Sequence, residues 1–255
     1  MKAKKVSYRD LFGNLVRAEI KVRYMGAYMG VLWSLGSPLL YIAVYYYVFT
    51  VVFPSPIENF SLYVVTGFIH WSLFSQIISQ SSDLLVRNVS LLRKMAFPMS
   101  HIVSANFVTA LCFWMVALII YACAFHYLGG AIEVELLYYP IALFLYLIFI
   151  YGISLLLSVL YVYFRDVKHL IDVFLPLLFW LSPVVYSISL VPEGLVLYYN
   201  LNPVACYIGS INGILHENQI PDDVDWLIMF FSSCLAFWIG WSVFNRYSRH
   251  AIERL

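Results

Sequence analysis

Residues 137–163 read LYYPIALFLYLIFIYGISLLLSVLYVY, 27 consecutive positions without one charged side chain. A helix needs about 20 apolar residues to cross the roughly 30 Å hydrocarbon layer of a bilayer. A helix that is apolar on every side is either buried in a large core or surrounded by lipid. The length and uniformity of this stretch therefore predict a membrane-spanning helix.

Five other stretches have the same character, because none carries Lys or Arg near its centre: 33–53, 61–82, 101–128, 169–188 and 226–245. The whole chain of 255 residues is 63% hydrophobic and only 11% charged. Such a chain is too apolar to hide its side chains inside one soluble core. We therefore predict an all-α membrane protein with six transmembrane helices.

The fifteen Lys and Arg residues fall in four groups, at 2–23, 87–94, 165–168 and 246–254. The alternate connections contain none of them and instead hold eight Asp and Glu residues. Basic residues close to the ends of spans stay on the cytoplasmic side of the membrane. The pattern predicts an inner-membrane protein with both termini in the cytoplasm.

Residues 10–24 predict an amphipathic helix that lies along the inner membrane interface. Apolar residues recur there at helical spacing, while basic residues occupy much of the rest of the turn. The apolar positions are Leu11, Phe12, Leu15, Val16 and Ile20. The alternative, a disordered basic tail, suits residues 1–6 better than this segment.

Residues 83–98 predict a second amphipathic helix, on the cytoplasmic side, that ends at Pro98. Its apolar positions are Leu85, Val89, Leu92 and Ala96, and its polar positions are Asp83, Arg87, Ser90 and Lys94. This pattern indicates a helix that presents a surface. The alternative is an interfacial helix that serves no partner.

The outer connection at 189–221 is too apolar for a solvated loop, and its prolines and glycines divide it into pieces too short to cross the membrane. Backbone of this kind survives at membrane depth only when it is buried in protein or faces a water-filled cavity. We therefore predict two short re-entrant helices before the last span.

Several kinds of chemistry are missing from the sequence. No glycine is followed by Lys, so no GxxxxGK[ST] phosphate-binding loop exists, and neither HExxH nor GxSxG occurs. The four Cys residues lack metal-ligand spacing, and the six His residues do not cluster as ligands would. No charged residue lies near the centre of a span, where ion-driven transporters place theirs. Any uphill transport must therefore draw its energy from another polypeptide.

Ordered motifs along the chain resemble the type-2 ABC exporter permeases that move O-antigen, capsular polysaccharide or teichoic acid. They are EIKVRY at 19–24, GVLW at 30–33, GFIHWSLF at 67–74, NVSLLRKMAFP at 88–98, YFRDV at 163–167, LSPVVY at 181–186 and Asn202-Pro203. The resemblance covers essentially the whole chain. One departure is His70, where the family pattern has Pro before the Trp.

The resemblance implies a homodimer joined to two copies of a separate ATPase subunit, which would bind ATP and Mg. It implies that 83–98 is a coupling helix, with Arg87, Asn88, Ser90, Arg93 and Lys94 as the contacts to the ATPase. The helix at 10–24, with Arg17, Lys21 and Arg23, becomes a cytoplasmic gate, and 189–221 becomes a pair of periplasmic gate helices. The implied substrate is a polysaccharide on undecaprenyl pyrophosphate or a related lipid. We expect no cofactor or metal in this chain, no enzymatic step and no nucleic-acid partner.

Aromatic residues crowd the first and fifth predicted spans. Their rings offer apolar contact and their hydroxyls offer hydrogen bonds, both of which a sliding sugar chain needs. Our hypothesis is that Tyr41, Tyr45 and Trp180 line a channel at the dimer axis. Ordinary helix packing and interfacial belts are an equal alternative.

Two other functions remain open from the sequence. The first is a type-2 ABC permease for a small drug or lipid, which would share the fold and the ATPase. The second is a polytopic membrane transferase, for which the nearest candidate cluster is Arg165, Asp166, Lys168 and His169. A transferase would need carboxylates or His converging at one membrane face.

Overall fold

The computed structural model describes residues 8–24, 40–53, 60–94, 97–127, 134–188, 191–192, 194, 199 and 201–254. Every regular element in these residues is helical, as the sequence predicts. In chain order the helices are α1 (Tyr8–Tyr24), α2 (40–47), α3 (Phe60–Ser82), α4 (Leu84–Arg87), α5 (Val89–Lys94), α6 (Ser100–Tyr127), α7 (Tyr139–Tyr163), α8 (Val167–Trp180), α9 (Pro203–Asn212) and α10 (Asp223–Arg254). Short π-helical turns follow α2 and α9, and a 3₁₀ turn precedes α7.

Four of the described helical segments are long and apolar enough to cross a membrane: Phe60–Ser82, Ser100–Tyr127, Val134–Tyr163 and Asp223–Ser248. They coincide with the second, third, fourth and sixth predicted spans. For the first predicted span, the structure describes an apolar helix over Leu40–Val52, and residues 33–39 lie outside the described part. By length and composition, the described helices therefore account for four spans.

The fifth predicted span, 169–188, differs from the structure. Helix α8 ends at Trp180, and a series of turns and bends follows it to Tyr186. Pro183 explains this early end, because the residue before a proline is disfavoured in helical conformation. Pro176 lies inside the helix and removes one backbone donor. With 14 residues, α8 is about 21 Å long, which is shorter than the hydrocarbon layer.

Helix α3 occupies the centre of the bundle. Most of its side chains are buried, and it contacts α6, α7, α8 and α9. Helix α9 is also buried along its length, with Tyr207, Ile208 and Ile211 fully enclosed. The core therefore forms around α3 and α9, and the other long helices surround them.

Helices α7 and α10 pack backbone against backbone. A Cβ atom on Gly152 would lie 2.5 Å from the carbonyl oxygen of Ala236, and one on Gly240 would overlap the carbonyl group of Gly152. Small residues permit this approach, and Ala236 and Gly240 are four positions apart on one face of α10. The contact between these two helices is the most extensive in the described part of the chain.

Large apolar side chains remain exposed on the outer surfaces of the bundle. Trp238 is 67% exposed, Phe231 is 64% exposed and Ile119 is 58% exposed. Exposed apolar surface on this scale is unusual for a soluble monomer and normal for a surface that contacts lipid. The exposure pattern agrees with the hydropathy of the sequence.

The bundle has two ends of opposite charge. Helices α3 and α7 end, and α6 begins, at the end that carries Arg87, Arg165 and Arg246, here named the basic end. Helices α3, α7 and α10 begin at the other end, which carries Glu217 and Asp225 and is named the acidic end. Each candidate site described below is located by the end of the bundle at which it lies.

Candidate functional site

The predicted amphipathic helix at 83–98 is divided in the structure. Helices α4 and α5 are separated by Asn88, and residues 95–96 lie outside the described part. The Asn88 amide donates to the carbonyl oxygen of Leu84 at 3.0 Å, and the Asn88 carbonyl accepts from the Leu92 N–H. Asn competes in this way with regular helical bonds, so it ends one helix and starts the next. We refer to α4 and α5 together as the 84–94 segment.

The apolar side of the 84–94 segment is anchored in the basic end of the bundle. Leu84 and Leu85 are completely buried and Leu92 is 6% exposed. They share one hydrophobic cluster with residues of α6, α7 and α10: Ile102, Val103, Leu155, Val159, Val162 and Phe244. A displacement of the segment is therefore transmitted to three long helices, because close-packed interiors transmit strain.

The polar side of the same segment faces outward. Arg87, Ser90 and Arg93 are exposed. The Arg87 Nε atom lies 3.0 Å from Asp83 Oδ1, and its guanidinium also donates to the Gln80 carbonyl at 3.1 Å. The Lys94 side chain lies outside the described part. The segment therefore presents positive charge on a rigid apolar base.

Helix α1 packs across the same basic end. Its Leu15 joins the cluster beneath the 84–94 segment, and its Phe12 ring meets the His101 ring of α6 edge to face, with centroids 6.3 Å apart. Arg17 and Lys21 are exposed, while the Arg23 side chain is outside the described part. The predicted amphipathic pattern therefore describes a helix whose apolar face meets protein at α6.

Lys168 joins α8 to the basic end of α3. Its Nζ atom donates to both the carbonyl and the hydroxyl oxygen of Ser79 at 3.0 Å, and Asp172 lies 3.6 Å away. Arg165, in the same predicted transferase cluster, stacks over the Tyr161 ring at 5.3 Å. Because Lys168 and Arg165 both have structural partners, the structure does not favour a catalytic role for them. No local pattern in the sequence predicts the contact between Lys168 and Ser79, which are 89 positions apart.

The predicted channel residues form two groups on α3. The Tyr41 and Tyr45 rings pack against Phe68, at centroid distances of 5.1 and 4.6 Å. The Trp180 ring meets the Phe179 ring edge to face at a centroid distance of 5.4 Å, and the Phe179 ring meets the Trp71 ring in the same way at 5.5 Å. Phe68 and Trp71 are one helical turn apart, so both groups lie along one part of α3. Tyr41 is 52% exposed and Trp180 is 66% exposed, so both rings remain available for contact.

A buried polar network ties the acidic end together. Thr66 Oγ1 lies 2.6 Å from the Tyr121 hydroxyl and 2.7 Å from His216 Nε2, and those two atoms are 3.1 Å apart. Burial, and to a smaller extent the nearby His70, lower the pKa of His216 to about 4, so the ring is neutral at physiological pH. Helices α3 and α6 and the turn after α9 are therefore joined by one hydrogen-bonded cluster.

His70 extends this network to α7. Its Nδ1 atom lies 2.8 Å from the Thr66 carbonyl oxygen, and its Nε2 atom lies 2.9 Å from the Tyr139 hydroxyl. A carbonyl can only accept, so Nδ1 carries the proton and Nε2 accepts from Tyr139. His70 is thus a hydrogen-bonded packing residue. In the described part of the chain, no three His, Cys, Asp or Glu side chains converge as a metal site requires.

The sequence of this chain is similar to those of known membrane transport proteins. O-antigen export system permease protein RfbA of Myxococcus xanthus is 28% identical over 240 residues, which cover 93% of this chain and 92% of that protein. The protein of the same name from Klebsiella pneumoniae is 29% identical over 244 residues, with the same coverage. The family described as ABC-2 type transporter matches residues 10–216, a range that includes most of α1, the 84–94 segment and α9. The chain therefore belongs to the ABC-2 type transporter family.

Proposed function

We propose that this chain is the permease subunit of an ATP-driven exporter that moves a lipid-linked polysaccharide of the O-antigen, capsule or teichoic-acid type across the inner membrane. The observation that carries the proposal is the 84–94 segment, whose exposed Arg87 and Arg93 stand on the buried Leu84 and Leu85. An external motor needs such a surface, because force applied there reaches α6, α7 and α10. The names of the similar permeases support the polysaccharide as cargo.

The energy source in this proposal is a separate ATPase. Helices α3, α6 and α7 contain no Asp, Glu, Lys or Arg, and the sequence has no phosphate-binding loop. Intramembrane ionisable groups are the usual means by which ion-driven transporters couple to a gradient. We therefore assign ATP hydrolysis to a separate subunit. In the proposed complex, two copies of this chain form a homodimer, and two ATPase copies bind ATP and Mg at its basic, cytoplasmic end.

Six spans are part of the same proposal. The positive-inside pattern supports a cytoplasmic location for both termini, and two termini on one side require an even number of crossings. The region around α2 and the region of α8 with the following turns supply the first and fifth crossings. The proposed periplasmic gate at 189–221 includes α9, while residues 189–190, 193, 195–198 and 200 lie outside the described part of the chain.

The exported polymer passes between the two copies along the aromatic groups on α3. The exposed Tyr41 and Trp180 rings support this route, as does Tyr45, which packs with Tyr41 against Phe68. Aromatic faces bind sugar rings through dispersion without fixing them in one register. The undecaprenyl-linked end of the substrate enters from the inner leaflet.

Replacing both Tyr41 and Tyr45 with Leu is expected to slow export about tenfold, since two aromatic contacts of about 0.7 kcal/mol each are removed from the sliding sugar chain. Surface polymer, measured over time after induction, gives the rate. Tyr47→Leu is the matched control, because Tyr47 is 59% exposed but lies on the opposite side of the same helix. Unchanged export in the double variant would remove these residues from the channel.

Deleting the gene is expected to remove polymer from the cell surface while lipid-linked polymer accumulates inside, because synthesis continues without export. Immunoblots of intact cells and of extracted lipid-linked material measure both pools. Re-expression of the chain serves as the control. Normal surface polymer in the deletion strain would contradict the proposed function.

A second candidate function is supported by one feature of the structure. An apolar groove of about 1080 Å³ lies between α3, α7 and α8, lined by residues such as Phe74, Phe149, Ile171 and Leu178. Its size and apolar lining suit a small hydrophobic drug or lipid. Altered drug sensitivity with normal surface polymer in the deletion strain would favour that substrate.

A further inference from the structure

We propose that Lys168 is a positioning residue for transport, which ties the start of α8 to the 84–94 segment through the last turn of α3. This inference rests on the proposed function and adds to it a residue that links the ATPase contact surface to the channel wall. The predicted channel residue Trp180 is the last residue of α8. Movement of the 84–94 segment would thus reach the channel through α3 and α8.

Two cations from different elements meet the last turn of α3. The Arg87 guanidinium of α4 donates to the Gln80 carbonyl at 3.1 Å. The Lys168 ammonium of α8 donates to the neighbouring Ser79 carbonyl at 3.0 Å. The last four carbonyl groups of a helix have no partner within it, and the negative end of the helix dipole lies there. Because the two cations hold adjacent carbonyls, α4 and α8 share one support at the end of α3.

Three oxygen atoms surround the Lys168 ammonium group. Its Nζ atom lies 3.0 Å from both the carbonyl and the hydroxyl oxygen of Ser79, and 3.6 Å from Asp172 Oδ1. An ammonium group has three N–H donors, and hydrogen bonds from a charged donor are the stronger ones. The Asp172 side chain is 51% exposed, and an ion pair with such exposure contributes little. The bonds to Ser79 therefore carry the link to α3.

The packing beside α8 makes this link important. The apolar groove of about 1080 Å³ lies along the middle of α8, where Leu170, Phe174 and Leu177 line it together with residues of α3 and α7. Close-packed interiors transmit strain, whereas side chains that face a void lose contacts on that side. Helix α8 is therefore incompletely packed along its middle, and the Lys168 bonds fix the end that lies nearer to the ATPase surface.

The link joins two elements with different proposed roles. Arg87 is exposed on the surface that the ATPase would contact, and the Trp180 ring is 66% exposed at the far end of α8. A change at Lys168 leaves both of these side chains in place and removes only the connection between them. Loss of the link should therefore separate ATP hydrolysis from export, whereas a contact that only stabilises the fold would lower both together.

The test compares Lys168→Met with the native chain in complex with the ATPase. Surface polymer in cells gives the export rate, and the purified complex in lipid nanodiscs gives ATPase binding and ATP hydrolysis. Met is also unbranched and flexible, so this change removes the N–H donors and keeps an apolar stem. Asp172→Asn is the matched control, because it removes the charge beside Nζ and leaves both Ser79 bonds available.

We expect Lys168→Met to export about tenfold more slowly, the factor that corresponds to one lost hydrogen bond to a charged group, while ATP hydrolysis stays within about twofold of native. Asp172→Asn should export at the native rate. Lys168→Gln, whose uncharged side chain is shorter, should also export more slowly and keeps the test valid if Lys168→Met fails to fold.

Hydrogen–deuterium exchange shows where the connection breaks. Backbone amide exchange reports local opening, and it is measured in the complex with ATP and vanadate and without nucleotide, in peptides that cover 84–94 and 165–172. In the native complex, nucleotide should change exchange in both peptides. In Lys168→Met, the change should persist at 84–94 and disappear at 165–172.

Several results would overturn the inference. They are native export in folded Lys168→Met, an equal loss of export and ATP hydrolysis, an equal loss of export in Asp172→Asn, and a nucleotide-dependent change at 165–172 that survives in Lys168→Met. Failure of both Lys168→Met and Lys168→Gln to fold would overturn it too, since Lys168 would then be a structural contact. Loss of surface polymer on gene deletion, together with any of these results, rejects the role of Lys168 and leaves the proposed function standing.

Discussion

Gly240→Ala is expected to destabilise the folded chain by about 3 kcal/mol, at the upper end of the range for overpacking. The added Cβ atom would overlap the carbonyl group of Gly152 on the facing helix. Backbone atoms cannot rotate away as a side chain can, so α7 and α10 would have to separate along their length. Thermal unfolding in detergent, followed by the elution profile on size exclusion, measures the loss.

The matched control for this prediction is Gly13→Ala in α1. A Cβ atom on Gly13 would have no atom within 4 Å among the described residues. Replacing Gly with Ala inside a helix normally stabilises it by about 0.5–1 kcal/mol, so the same change should have opposite signs at the two positions. Equal or higher stability of Gly240→Ala would show that the helices are not packed at this distance.

Arg93→Glu is expected to uncouple the chain from its ATPase and to stop export, while the chain itself folds normally. Arg93 is exposed on the polar side of the 84–94 segment, so the change leaves the buried apolar side intact. Placing a like charge where a complementary one was costs about 2 kcal/mol or more at an interface, which corresponds to about thirtyfold weaker binding. Co-purification of the ATPase subunit and the ATPase rate of the complex measure the effect.

Arg246→Glu provides the control for charge alone. Arg246 is also exposed at the basic end, but it belongs to α10 and stacks on the Tyr247 ring at 5.8 Å. Its reversal should leave the ATPase bound. If Arg93→Glu retains native affinity for the ATPase, the 84–94 segment is not the contact surface.

Much of the helical architecture could be read from the sequence, because lipid as a solvent permits few alternatives. The uncharged stretch 137–163 corresponds to α7 at Tyr139–Tyr163, and 101–128 corresponds to α6 at Ser100–Tyr127. Helix α10 extends beyond its predicted stretch at both ends, to Asp223 and Arg254, since helices continue past the apolar residues when polar ones follow. The family assignment from ordered motifs is confirmed as well.

The sequence was less informative wherever structure depends on residues far apart in the chain. Thr66, Tyr121 and His216 form one cluster across 150 positions, and no local pattern joins them. The early end of α8 could have been found from Pro183, and the close packing of α10 from the spacing of Ala236 and Gly240. The roles of the predicted gate, coupling and channel residues remain predictions for experiment.

The hydrogen-bonded cluster around Thr66 and His70 limits how the helices at the acidic end can move relative to one another. Separating any one of its members would leave a buried donor or acceptor without a hydrogen-bond partner, which costs free energy in an apolar environment. Helices α3, α6 and α7 and the turn after α9 are therefore expected to move together as one rigid body. In the proposed homodimer, the two copies would then separate from each other at their contact surface.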